Sequence, residues 1–239
     1  MISFIIPAYN EEALIEETVA QLIEGAAQLK LDYEIIVVDD DSSDRTAQLA
    51  VAAGAKVVQV KNRQIAATRN AGAKAAKGDI VIFVDADTLA PVDTIRAALS
   101  ALDKGAVGGG ATIKFRGQIS TSARMAITIG QIPMRLAKLV GGCFMFMTRD
   151  AYEEAGGYDE KVYASEEIWL AMKLRKQGRF VVLREKVLSS GRKIRRYGML
   201  ELTLILMRMA VRGPSALTKR EGLEVWYNAE REEEGADDS

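Results

Sequence analysis

The 239 residues contain no histidine. That removes Ser-His and Cys-His nucleophiles and the usual histidine-built zinc sites. Acid–base chemistry or metal binding must then fall to carboxylates. Cysteine is nearly absent too: Cys143 stands alone, which excludes an internal disulfide and fits a reducing compartment. Neither sign of charge dominates. The formal net charge is −1, so the overall balance marks neither nucleic acid nor a membrane as a partner. Long apolar runs are also missing. The strongest, LTLILMRMAV at 202–211, is interrupted by Arg208 and falls well short of the ~20 residues a spanning helix needs. The opening MISFIIPAYN has neither a basic leader nor a small-residue cleavage site, so the expectation is a cytoplasmic chain without a signal peptide.

What is present is 49% apolar and 27% charged residues, ordinary for a soluble globular protein, in a length that suits one large domain. The first half alternates two kinds of segment. ISFII (2–6), YEIIVVD (33–39), KVVQV (56–60) and DIVIFVD (79–85) are short β-branched runs of the kind that form buried parallel strands. Between them, Ala13, Ile15, Val19, Leu22, Ile23 and Ala26 recur at helical spacing, with acidic residues near the helix start. A second helix follows DSSDRT, with Ser42 or Ser43 as N-cap and Gly54 closing it, and QIAATRNAGAKAAKG forms a third. Such alternation predicts a doubly wound, mostly parallel α/β sheet whose ligands lie beyond the carboxyl ends of the strands. The second half predicts helices over 92–105, 120–139, 149–157 and 165–178. It adds strands at AVGGGATIKF, GGCFMFMT and RFVVL.

FVDADT, at 83–88, poses a problem. Residues two apart on a strand share a face, so Asp85 and Asp87 would put like charges side by side, and a positive partner is expected between them. Two more strands end in polar loops, PAYNEE and DDDSSD. Turns and helix caps account for each loop singly. Three of them on one rim make a carboxylate-rich edge that capping alone does not explain.

In order, IIPAYNEEALIEETVAQL, EIIVVDDDSSDRT, ATRNAGAKAAKGDIVIFVDADT, GGCFMFMTRDAYEEAGGYDE and SEEIWLAMKLRKQG span residues 1 to about 183. The set resembles family 2 glycosyltransferases, inverting enzymes of the Rossmann-like GT-A fold that use nucleotide-diphosphate sugars. The resemblance implies that Pro7, Ala8 and Tyr9 line the nucleotide pocket with Glu11 beside them, Tyr9 packing near the base. It gives Asp40 the hydrogen bond from the base's ring N–H, with Asp39 adjacent, and turns Arg69 toward the base or diphosphate. Asp85, Ala86 and Asp87 match the DXD motif, Asp87 being the direct ligand of Mn²⁺ or Mg²⁺ on the diphosphate, with Asp85 also at the metal. Hard carboxylate oxygens suit either ion. Glu167 matches the general base, with Glu in place of the usual Asp, and Glu166 is the next candidate; the alternative is that both merely complement a helix N-terminus. Gly141 and Gly142 would let backbone approach the sugar or acceptor, or simply make a turn.

The QxxRW motif of processive members is missing, as are multiple membrane spans, so a single sugar transfer is expected to a sugar, lipid-linked or small-molecule acceptor. A glycosyltransferase domain is expected over 1–190, a basic loop and helical extension over 191–228, and a disordered acidic tail over 229–239. Residues 184–220 hold ten Lys or Arg against two acids, a net charge of +8. Arg192, Arg195 and Arg196 suit a lid over a diphosphate. The apolar stretch after Gly198 packs on the core, pairs with a second copy, or lies at the inner membrane face. Two competing functions remain. A sugar-phosphate nucleotidyltransferase is disfavoured because PAYNEE lacks a Gly-rich, Arg-containing loop; a nucleotide-sugar-binding protein without turnover would keep the same residues.

Overall fold

The computed structural model describes residues 1–117, 125, 128–131, 135, 137 and 140–192. Most of the helix expected over 120–139 falls outside these residues, as do Arg195, Arg196, the remaining extension and the acidic tail. The elements in chain order are β1 (Ile2–Ala8), α1 (Ile15–Gln28), β2 (Tyr33–Asp40), α2 (Thr46–Ala52), β3 (Lys56–Val60), α3 (Ile65–Ala75) and β4 (Ile80–Val84). There follow β5 (Thr88–Leu89), α4 (Val92–Asp103), β6 (Ala106–Arg116), β7 (Phe144–Thr148), α5 (Arg149–Glu154), α6 (Glu166–Gln177) and β8 (Arg179–Ser190). No helix among the described residues is long and apolar enough to cross a membrane.

One eight-stranded sheet runs β3-β2-β1-β4-β7-β6-β8-β5. Its first four strands are parallel, so the loops after β1, β2 and β4 share a rim, as the alternating pattern predicts. Strand β7 joins antiparallel to β4 and to β6, whereas β6 and β8 are parallel. Continuous apolar strands are explained by burial on both faces. Phe4, Ile6, Val37, Ile82 and Phe146 pack with α1 and α4, while Ile5, Ile36, Val81, Phe83 and Met147 face α3, α5 and α6. Glycine at 109 is required by close approach: a Cβ there would lie 2.1 Å from the Val181 carbonyl on β8.

Three expectations are corrected. Neither Ser42 nor Ser43 caps α2; Asp44 Oδ1 accepts from Thr46 N at 2.9 Å, while Ser42 Oγ accepts from Asn10 N and Ser43 N donates to Asn10 Oδ1. The serines instead tie the β1 and β2 loops together. The last strand runs far past RFVVL, to Ser190. The charges of REK hide this continuation, which is stabilised by pairing with β6 and with the two-residue β5. Finally, β4 ends at Val84, so strand parity does not govern Asp85 and Asp87.

Candidate active site

A cavity of about 350 Å³ opens on the rim and is lined by residues from the β1, β3 and β4 loops, the segment before β7, and the start of α6. It brings together Pro7, Ala8, Tyr9, Glu11, Asp40, Arg69, Asp85, Ala86, Asp87, Gly141, Gly142, Glu166, Glu167 and Arg192. Asp39 is not on its wall. That side chain is buried, and its Oδ1 has no hydrogen-bond partner among the described residues.

Each acid of the DAD turn meets its own arginine. Arg69, carried by α3 and buried, donates from Nη2 to Asp85 Oδ1 (2.8 Å) and Gly142 O (3.3 Å), and from Nη1 to Glu166 Oε1. Its Cζ also lies 5.2 Å from the Tyr158 ring centroid. Burial opposes its charge, but Tyr158, Asp85, Glu166 and Glu167 together hold the guanidinium protonated beyond the ordinary arginine range. Arg69 therefore works mainly inward, tying the DAD turn to the start of α6, rather than simply facing a base or diphosphate. It also explains Gly142, where a Cβ would stand 2.9 Å from Arg69 Nη2.

Arg192 serves the other acid. Its Nη2 donates to Glu11 Oε1 (2.6 Å) and to Asp87 Oδ2 (3.1 Å), and all three side chains are nearly enclosed. The β5–β8 pairing sets this up, with Ser190 N donating to Asp87 O at 3.1 Å. The positive partner that the DAD spacing calls for is thus two guanidiniums, one on each side.

Asp40 lies on the wall but is heavily engaged. Its Oδ1 accepts from Asn62 N (2.7 Å) and Arg63 N (2.8 Å), and its Oδ2 from Gln64 N (3.2 Å) and Thr68 Oγ1 (2.8 Å). Four bonds fill a carboxylate's capacity. The acid therefore orders the turn into α3 as well as edging the cavity.

Glu166 and Glu167 open α6 after Ser165, whose φ is 60°. Glu166 is buried against Arg69, so it does more than complement a helix terminus. Glu167 is half-buried, and desolvation together with the Glu166 charge pushes its carboxyl up to about 8 against the pull of Arg69. Six carboxylates and three arginines line the cavity, so acids outnumber bases on its wall. Among the described residues no three metal-type ligands cluster. Asp87 and Asp85 nonetheless offer hard oxygens in a negative cavity, which fits a divalent cation that takes its remaining ligands from phosphate and water.

Sequence spacing gave no sign of Arg63, which follows β3, lines the cavity, and places its Cζ 3.8 Å from the Tyr9 ring centroid. Its backbone φ is 51°. Gln64, Thr68 and Tyr163 also line the wall, and of these only Thr68 belongs to the ATRN motif.

The chain is 38% identical over 112 residues to an undecaprenyl-phosphate 4-deoxy-4-formamido-L-arabinose transferase of Pseudomonas fluorescens, covering 44% of this chain and 33% of that protein. It is 37% identical over 109 residues to a dolichol-phosphate mannosyltransferase of Pyrococcus furiosus, covering 44% of this chain and 30% of that one. The chain thus matches about a third of the length of these relatives. Among solved structures, a mannosyltransferase from Pyrobaculum calidifontis in complex with GDP-Man and Mn²⁺ superposes with a TM-score of 0.63 at 22% identity, over 87% of this chain and 64% of that one. That likeness supports the GT-A fold. Residues 3–156 match the model described as glycosyl transferase family 2, and the chain belongs to that family.

Proposed function

We propose that this chain moves a single sugar from a nucleotide-diphosphate sugar to an acceptor, with inversion and with a divalent cation on the diphosphate. The observation that carries it is one cavity holding both the DAD acids and the Glu166–Glu167 pair, joined through buried Arg69. Asp87, with Asp85 beside it, would hold Mn²⁺ or Mg²⁺, which supplies neutralisation of the leaving diphosphate. Arg192, now on Asp87 and Glu11, can turn to the diphosphate oxygens, a task suited to its forked donors. Pro7, Ala8 and Tyr9 wall the nucleotide end, and Gly141 and Gly142 the sugar side. For a hydroxyl acceptor, Glu167 takes the proton as the new bond forms.

The environment of Glu167 favours a second acceptor class as well. Protonated at neutral pH, it is a poor base there, but it does not repel an anion. A lipid phosphate, the acceptor class named for the relatives above, brings its own charged oxygen and needs no base. One experiment separates the two: transfer rates against pH for Glu167→Gln and the parent, on a hydroxyl acceptor and on a polyprenyl phosphate. If a hydroxyl is the acceptor, the parent rate rises to a plateau through about pH 8 and the variant loses ~10²–10⁴-fold, the usual worth of a general base. If the acceptor is a phosphate, the variant keeps most of its rate. Donor binding without transfer to either would leave a binding protein.

A further inference from the structure

We propose that Gln64 is a positioning residue whose side-chain amide holds the segment leading into Glu166 and Glu167 against the start of α3. The acceptor wall of the cavity is thereby placed from its nucleotide end. This rests on the sugar-transfer reading above and adds a residue to it. Residues 156–165 join α5 to α6 without a strand or helix of their own. Their carbonyls therefore have no ladder to enter and depend on side chains or water for partners. Ser165, directly before Glu166, sits at φ 60°, a conformation that persists only where its surroundings impose it.

Helix α3 supplies those surroundings at successive points. Asn70 Nδ2 donates to Tyr158 O at 3.0 Å, and its Oδ1 accepts from Tyr158 N at 3.0 Å. Arg69 takes Glu166 at the far end. Gln64 fixes the middle: its Nε2 donates to Glu160 O and to Val162 O, the second at 3.3 Å. Both partners are acceptors, so the amide nitrogen and not its oxygen must face them. Gln64 is buried, as are Val162 and Ala164. Apolar contact is non-directional, so Val162 and Ala164 set only the depth of the segment. The amide bonds need alignment, and they set where along α3 the segment lies.

The backbone of Gln64 belongs to the nucleotide side. Its N–H donates to Asp40 Oδ2 at 3.2 Å, and its carbonyl accepts from Thr68 N at 3.0 Å and Thr68 Oγ1 at 2.9 Å. One residue thus joins two walls, since Tyr163, Ala164 and Ser165 line the cavity beside the two glutamates. A change in its side chain alone leaves the bonds of the turn in place. Misplacing a reacting group by about 1 Å can cost about 10²-fold in rate. The loss should therefore appear in turnover and not in donor binding.

The test compares the full-length parent with Gln64→Met, which keeps the length but no donors, and Gln64→Asn, whose amide is one methylene shorter. Transfer is followed from GDP-mannose and UDP-N-acetylglucosamine with Mn²⁺, to a polyprenyl phosphate and to methyl glucoside. In Gln64→Met kcat should fall about 10-fold or more, with donor KM and the calorimetric Kd of GDP and UDP within about 3-fold of the parent. Gln64→Asn should fall less, and it carries the same comparison where the Met substitution unfolds the chain. Hydrogen exchange over 158–168 should quicken about 10-fold in Gln64→Met while β1 and β2 keep their protection. A merely structural role would not split kcat from KM. Parent kcat in both variants overturns the assignment, and so does an equal weakening of GDP and UDP, which would move Gln64 to the donor. Unchanged exchange over 158–168 overturns it as well. A parent that transfers no sugar overturns the sugar-transfer reading, and the exchange then decides whether Gln64 holds the segment.

Discussion

Two carboxylates lining the cavity stand in contrasting surroundings. Asp40 accepts four hydrogen bonds from the turn into α3. Glu167 has the Arg69 charge and its own backbone N–H to set against burial and the Glu166 charge, which push its carboxyl up to about 8. The first acid is spent on building the site; the second keeps its proton more tightly within it. Acidity in a motif therefore does not assign a role. What decides is what the fold places around each group: four donors commit Asp40 to the turn into α3, while burial and a second carboxylate favour the protonated form of Glu167.

Removing the buried cation that ties the DAD turn to the start of α6 should have the largest effect. Arg69→Met strands Asp85 and Glu166 without their buried partner, and the loss of one member of such a network costs about 3–5 kcal/mol. Chemical denaturation of the variant should show a lowered midpoint with an unchanged slope. A variant as stable as the parent would mean that the two acids find other partners.

Asp40→Asn tests the builder acid. It replaces an acceptor oxygen by an amide that faces backbone donors, and should cost roughly 1.5–3 kcal/mol of stability, as for a hydrogen bond to a charged group. It should also weaken free nucleotide, through the loosened Arg63 turn. Weakened nucleotide binding at full stability would restore Asp40 to direct contact with the base.

Asp87→Ala is expected to remove the gain in donor affinity that Mn²⁺ gives, about 10-fold or more, while Arg192 keeps its bond to Glu11. Equal donor affinity in Mn²⁺ and in EDTA for the parent would end the metal assignment.

A pH-dependent signal sharpens the other side of the contrast. Glu167 holds its proton in the folded chain to about pH 8, against 4.5 for the ordinary carboxyl. Below 4.5 both states are protonated and the contribution is complete. Between 4.5 and 8 the unfolded chain releases its proton first, so the folded state loses ground as pH rises. The parent's Tm should therefore fall relative to Glu167→Gln across that window, by about 2–4 °C for each kcal/mol lost. Parallel curves would show a Glu167 that ionises normally.

Much of this was legible in the sequence. Apolar runs with turns between them located β1 to β4, because a strand buried on both faces has to be apolar throughout. The same runs placed three acidic loops on one rim. The pattern failed where structure rests on pairing rather than composition. The end of β8 is charged, β5 is two residues long, and α2 starts without the serine cap its sequence offers. Arg63 was illegible because its contact with Tyr9 joins loops 54 residues apart in a chain with basic residues at many other positions.

By itself, then, the sequence determined the strand–helix alternation, the shared rim and the identity of its acids, because hydrophobic periodicity and turn residues act locally. Only the tertiary structure decided which charge meets which. Arg69 reaches Glu166 across 97 positions, and Arg192 reaches Glu11 across 181. Those partners are set by the order of the sheet and by which side chains its packing turns inward, and neither has a local signature.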